Sequence, residues 1–166
     1  MKLFNWFNKK AIAVGDEAPD FELASSKGGM VRLSDFRNKK HVVLYFYPKD
    51  NTTACIAESC GFRDQYDEFL KAGADIVGIS SDTVESHIQF SEKYQFPFHL
   101  LADKNHQIRE RYGVPPTLGL LPGRTTYLID KKGIVQYLFN SQFHVDSHIT
   151  LTLQKLKSMT METPKA

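Results

Sequence analysis

Residues 41–64, HVVLYFYPKDNTTACIAESCGFRD, decide the fold of this chain. Residues 41–47 form a near-continuous apolar run, the pattern of a central strand covered on both faces. Pro48 and the polar residues after it end that strand. Asn51 and Thr52 are candidate caps for a helix that carries both cysteines of the chain, Cys55 and Cys60. Cys55 then falls in the first helical turn. A free thiol, with a pKa of ~8.5, is mostly protonated at neutral pH, but unpaired amide N–H groups and the positive end of a helix dipole stabilise the thiolate. The Thr52 hydroxyl, one turn back, can hydrogen-bond the sulfur or a substrate held beside it.

Helical geometry separates the two cysteines. At about 100° per residue, Cys55, Ser59, Phe62, Tyr66 and Phe69 share one narrow stripe, whereas Cys60 lies about 140° round from Cys55. Cys55 faces the body of the fold and Cys60 points elsewhere. Five residues of intact helix place the two Cα atoms about 8.6 Å apart. A disulfide tolerates about 7 Å. If the two sulfurs react, the helix between them must unwind, which makes the helix start a redox-controlled order–disorder element.

On the N-terminal side of the strand, residues 21–24 and 30–33 flank a Ser-Ser-Lys-Gly-Gly turn and read as a small hairpin, followed by a helical turn at Ser34-Asp35-Phe36. On the C-terminal side the cysteine helix runs to about Leu70. Strands follow at 75–80 and 98–102, with a helix at 83–94 capped by Ser81 or Asp82 and a short helix at 105–112. Segments 125–130 and 134–140 surround a Lys131-Lys132-Gly133 turn and form an antiparallel hairpin. An amphipathic helix at 145–158 closes the domain. This order predicts an α/β fold, a mixed sheet between helices, with the reactive site beyond the carboxyl end of a central strand.

With 166 residues, 42% hydrophobic and 24% charged, the chain has the length for one full core. The net charge is +2, and Lys2, Lys9 and Lys10 alone put +3 on the first ten residues, so no basic patch in the body argues for nucleic acid. Residues 1–13 are an N-terminal extension read as a loosely ordered terminus in preference to a membrane-touching amphipathic segment; residues 14–158 are the domain and 159–166 a disordered tail. No stretch is long enough to span a bilayer. None of the six histidines has metal-ligand spacing to a cysteine, and His144 and His148 read as surface or capping residues, so neither metal nor cofactor is expected. Arg124 directly precedes a strand and is either a solvated turn arginine after Pro-Gly or the guanidinium of the site. Arg63 either reaches the sulfur or pairs with a Glu on the helix surface. Glu58 reads as a dipole partner, and Tyr45, Phe46 and Tyr47 as core.

The motif Pro48-x-x-x-Thr52-x-x-Cys55 resembles the active-site signature of peroxiredoxins. Tyr45-Phe46-Tyr47-Pro48-Lys49-Asp50, with Glu58, Cys60, Phe62, Arg63 and Asp64, is similar to the peroxiredoxin Q group, also called bacterioferritin comigratory protein. The resemblance continues through Pro122-Gly123-Arg124-Thr125-Thr126-Tyr127 and Asn140-Ser141-Gln142-Phe143. It implies a thioredoxin-like fold and a peroxidase acting on hydrogen peroxide and alkyl hydroperoxides. Cys55 would be the peroxidatic nucleophile and Cys60 the resolving cysteine of the same chain, the atypical two-cysteine arrangement. Thr52 and Arg124 would bind and polarise the peroxide, Pro48 would shield the sulfur, and thioredoxin or a similar dithiol protein would recycle the enzyme. Ile56 departs from the small hydroxyl residue expected after the nucleophile, although its main chain can still donate to a bound oxygen. An intrachain resolving cysteine implies that a monomer suffices. A bacterial cytoplasm is the expected compartment, with a plastid as the alternative. Two rival functions are a thioredoxin-like disulfide exchanger, against which the five-residue cysteine spacing argues, and a membrane-associated holdase or redox sensor using residues 1–13.

Overall fold

The computed structural model describes residues 10–162; most of the N-terminal extension and residues 163–166 lie outside it. A two-stranded antiparallel hairpin, β1 (Glu22–Ala24) with β2 (Met30–Arg32), precedes a 3-10 turn at Leu33–Phe36. The main sheet has the order β5-β4-β3-β6-β7. Its strands are β3 (His41–Phe46), β4 (Ala74–Ser80), β5 (His99–Ala102), β6 (Thr125–Ile129) and β7 (Val135–Asn140). Strands β3, β4 and β5 run parallel, while β6 and β7 are antiparallel, so the sheet is mixed. The helices are α1 (Thr53–Asp64), α2 (Tyr66–Lys71), α3 (Val84–Tyr94), α4 (Gln107–Tyr112) and α5 (Val145–Glu162).

Alternation along β3 explains why its whole run is apolar. Val42, Leu44 and Phe46 enter one core with Ile108 and Tyr112 of α4 and with Phe21 and Val31 at the hairpin. Val43, Tyr45 and Tyr47 enter the other, with Cys55, Phe62, Phe69, Phe90 and Ile149 from the helices on that face. Successive side chains point to opposite sides, so a strand covered twice has no polar face.

Several boundaries differ from the sequence expectation. The cysteine helix does not run to Leu70: it breaks at Gln65 (φ −102, ψ 5), and α2 begins afresh. The second segment is anchored by tertiary contacts, the Tyr66 hydroxyl donating to Asp75 Oδ1 (2.9 Å) and Phe69 lying fully buried. Helix α3 is capped by Thr83, whose hydroxyl oxygen accepts from Ser86 N (3.1 Å). Asp82 is unavailable for that role because its Oδ2 accepts from Asp50 N (2.8 Å) and Ser80 Oγ (2.6 Å). Helix α5 continues to Glu162, so residues 159–162 are helical and not part of a tail.

His148 is a clearer correction. It is wholly buried, with Nδ1 2.8 Å from Thr126 Oγ1 and Nε2 2.7 Å from the Ser141 carbonyl. The carbonyl can only accept, so Nε2 carries the hydrogen and Nδ1 accepts from the threonine. Burial pushes this imidazole down to about 4; the Ser141 carbonyl pulls it back up and Arg124 lowers it further. The unfolded chain therefore takes up a proton near pH 6.5 that the native state refuses, and stability contributed by His148 is lost as pH falls from 6.5 towards 4, by roughly 3 kcal/mol. Urea midpoints of a His148→Gln variant should fall less steeply over that interval than those of the parent. Parallel slopes would refute the assignment.

Candidate active site

Cys55 is the third residue of α1 and fully buried. The turn leading to it is compact: Asn51 takes the left-handed conformation (φ 62), which asparagine tolerates, and Thr52 is the extended N-cap. The first intrahelical bond runs from Ile56 N to Thr52 O (2.8 Å), so the amides of Thr53, Ala54 and Cys55 precede the helical ladder. The Ile56 amide, expected to serve a bound oxygen, is already engaged by the helix. Thr52 makes no side-chain cap; its hydroxyl donates to Lys49 O (3.0 Å). Pro48, half-buried, opens the loop.

Arg124 meets this turn from the neighbouring strand of the sheet. Strand β6 is antiparallel to β3, with Thr125 opposite Phe46, so the start of one lies beside the end of the other. Arg124 Nη2 donates to Cys55 Sγ (3.2 Å) and Nη1 to Glu58 Oε2 (2.6 Å), and both Arg124 and Glu58 are withdrawn from solvent. The guanidinium places a positive charge and a directed N–H on the sulfur. Burial pushes Glu58 up to about 7 against the pull of Arg124. For Arg124 burial opposes the charge, but Glu58 and Cys55 outweigh it and raise the group above its ordinary value.

Glu58 is thus more than a dipole partner. Its signal was its spacing: three residues after Cys55, it lies within about 60° of the buried stripe. Arg63 takes neither expected role. Its Nε and Nη2 reach Asp64 Oδ1 (3.1 and 3.0 Å) and its Nη1 donates to Tyr94 O (2.8 Å). Cys60 is partly buried and packs against the same core as Cys55; burial pushes its thiol up, with Arg63 opposing and Asp64 adding to the rise. Both thiols are free, on one unbroken helix.

A polar cluster that sequence spacing did not reveal anchors the loop before Cys55. Asp50 Oδ1 accepts from the Tyr47 hydroxyl (2.6 Å), and Oδ2 from Ser86 Oγ (2.9 Å), with His87 Nδ1 2.7 Å away. His87 Nε2 lies 3.0 Å from Leu101 O. Asp50, Asp82 and His87 are close enough, within 4.8 Å, to share a cation. Asp50 Oδ2, Asp82 Oδ2 and His87 Nδ1 each already carry a protein hydrogen bond, and the cluster reads as a structural tie from α3 to residues 48–52.

The model of the AhpC/TSA family matches residues 14–138. A chloroplastic peroxiredoxin Q of Sedum lineare is 48% identical over 149 residues, spanning 89% of this chain and 80% of the relative. Among solved structures, peroxidoxin BcpB of Mycobacterium tuberculosis is 37% identical with a TM-score of 0.81, covering 88% of this chain and 97% of that one. The bacterioferritin comigratory protein of Xanthomonas campestris, described for its alkyl peroxide reduction activity, is 32% identical with a TM-score of 0.76, covering 84% and 92%.

Proposed function

The chain belongs to the AhpC/TSA family, in its peroxiredoxin Q group, and is a thiol-dependent peroxidase with a thioredoxin-like fold; on that premise we propose that Cys55 attacks the peroxide and Cys60 resolves the product. The observation that carries the assignment is the 3.2 Å bond from a buried guanidinium to Cys55 Sγ at the start of a helix. Cys60 has no such partner among the described residues.

The thiolate attacks one peroxide oxygen, the O–O bond breaks, and sulfur is oxidised by two electrons to a sulfenic acid. The departing oxygen leaves as alkoxide or hydroxide and takes a proton to become alcohol or water. Negative charge builds on that oxygen, so fixed donors in a dry pocket lower the barrier. Arg124 and the amides before the helical ladder supply them. The Thr52 hydrogen is held by Lys49 O, which leaves the oxygen of that hydroxyl to accept from the O–H of a hydroperoxide. Pro48 has no N–H to compete and covers the loop side.

Cys60 then attacks the sulfenic sulfur, releasing water and forming the disulfide. Both residues lie on α1, so the helix must open first, and opening also detaches Glu58 from Arg124. The strained disulfide suits reduction by thioredoxin or a similar dithiol protein. We place the enzyme as a monomer, in a bacterial cytoplasm or, as the chloroplastic relatives suggest, a plastid. Among the described residues no helix is long and apolar enough to cross a membrane.

One equivalent of hydrogen peroxide added to the reduced protein should remove two hydrogens from the intact mass and lower the helical circular dichroism as α1 opens. A protein that stays reduced over seconds while still reducing insulin disulfides would be an exchanger, and this assignment would fail.

A further inference from the structure

Arg109 is a second arginine withdrawn from solvent, and nothing in the reaction above uses it. It belongs to α4, whose Ile108 and Tyr112 pack against the sheet face opposite Cys55. Its guanidinium reaches the end of the sheet and donates from Nη1 to Gly123 O (2.5 Å) and from Nη2 to Tyr47 O (2.7 Å). These are the carbonyls immediately before Arg124 and immediately before Pro48. The β3–β6 ladder is paired as far as Phe46 with Thr125, so one planar side chain bridges the two strand ends just past the last backbone pair.

The clamp is itself held. Asp103 accepts from the main-chain amides of Ile108 (2.9 Å) and Arg109 (3.0 Å), and the guanidinium carbon lies 5.6 Å from the Phe46 ring centroid. Gly123 is confined on its other side: a Cβ there would stand 1.8 Å from the Pro115 carbonyl oxygen. Burial lowers Arg109 to about 10 while Asp103, Tyr127 and Cys55 hold it up, so it is a cation at neutral pH. Among the described residues no carboxylate hydrogen-bonds its guanidinium. A buried charge satisfied by neutral carbonyls is costly, and such local costs concentrate where function needs geometry.

Resting on the peroxidase assignment, we propose that Arg109 is a positioning residue: by holding the Tyr47 and Gly123 carbonyls in one fork it sets the distance between the loop that leads to Cys55 and the Arg124 guanidinium. Misplacement of this pair by a fraction of an ångström slows a reaction that must align sulfur, two oxygens and a donor, yet leaves a simpler reaction of the thiolate untouched.

The test uses the full chain with Cys60→Ser, so that only Cys55 reacts. Arg109→Lys keeps the charge but replaces the rigid planar fork by a compact ammonium on a flexible stem; Arg109→Met loses both. Two rates are measured on each protein: alkylation of Cys55 by iodoacetamide across the pH range, and gain of one oxygen from hydrogen peroxide. Arg109→Lys should alkylate with the pH profile of the parent while its oxidation slows by about tenfold or more. Oxidation at the parent rate, or equal losses in both reactions, would leave Arg109 a fold-supporting residue and overturn the proposal. If the Met variant does not fold, the Lys variant carries the decision. A Cys60→Ser parent inert to peroxide would instead overturn the assignment of Cys55, a separate failure.

Discussion

Cys55→Ser protein should lose peroxide consumption by about 10⁴-fold or more, the scale on which deleting a covalent nucleophile acts. Cys60→Ser should behave differently. Its first turnover should proceed at the parent rate, because among the described residues Arg124 hydrogen-bonds Cys55 and Glu58 and not Cys60. Later turnovers with a dithiol protein should stop, and Cys55 should pass to sulfinic acid as peroxide is added, since nothing removes the sulfenic acid in time. In the proposed cycle the same competition should set the peroxide tolerance of the parent, opening of α1 racing a second oxidation. Intact mass after stepwise peroxide addition reads all three proteins. Steady recycling of Cys60→Ser at the parent rate would remove Cys60 from the cycle; retained consumption by Cys55→Ser would remove Cys55.

Arg124→Met should slow oxidation of Cys55 by about 10²- to 10³-fold, the range for loss of one preorganised donor to a developing oxyanion. It should also destabilise the fold, because it leaves Glu58 buried without its cation, where breaking such a pair costs on the order of 3–5 kcal/mol. The two effects can be pulled apart through Glu58. A carboxyl raised from 4.5 to about 7 in the native state binds more protons there than in the unfolded chain. Stability from this group is therefore greatest below pH 4.5 and declines as pH rises through the interval to 7. Without Arg124 the decline should extend to higher pH, since a force that lowers Glu58 is gone. Adding Glu58→Gln to Arg124→Met should flatten that dependence and recover stability without recovering the oxidation rate. If the double variant regains the rate as well, Arg124 acts only by offsetting the buried charge of Glu58.

The local part of this protein was legible along the chain. An unbroken apolar run at 41–47, a proline, two cap candidates and a cysteine three residues further place a thiol at a helix start whatever surrounds it, because strand alternation, capping and helical periodicity act over a few residues. Helical spacing likewise separates Cys55 from Cys60, and the motif from Pro48 to Cys55 suffices to recognise the family. Strand positions were therefore right to within about a residue.

What the sequence could not decide comes from pairing across long separations. Arg124 lies 69 residues from Cys55, and only the antiparallel register of β6 on β3 brings its guanidinium to the sulfur. Glu58 reads along the chain only as a dipole partner, and its pairing with that arginine appears only in the fold. Arg109, Asp50 with His87, and His148 with Ser141 carry no periodic signature, because a buried polar group is selected by its partner and not by its place on a helix or strand. The break at Gln65 and the cap at Thr83 follow the same rule, set by Tyr66 meeting Asp75 and by Asp50 and Ser80 claiming Asp82. Local periodicity determined where the Cys55 sulfur sits; tertiary register decided what charge stands next to it, since only packing brings partners so far apart in sequence within reach of a hydrogen bond.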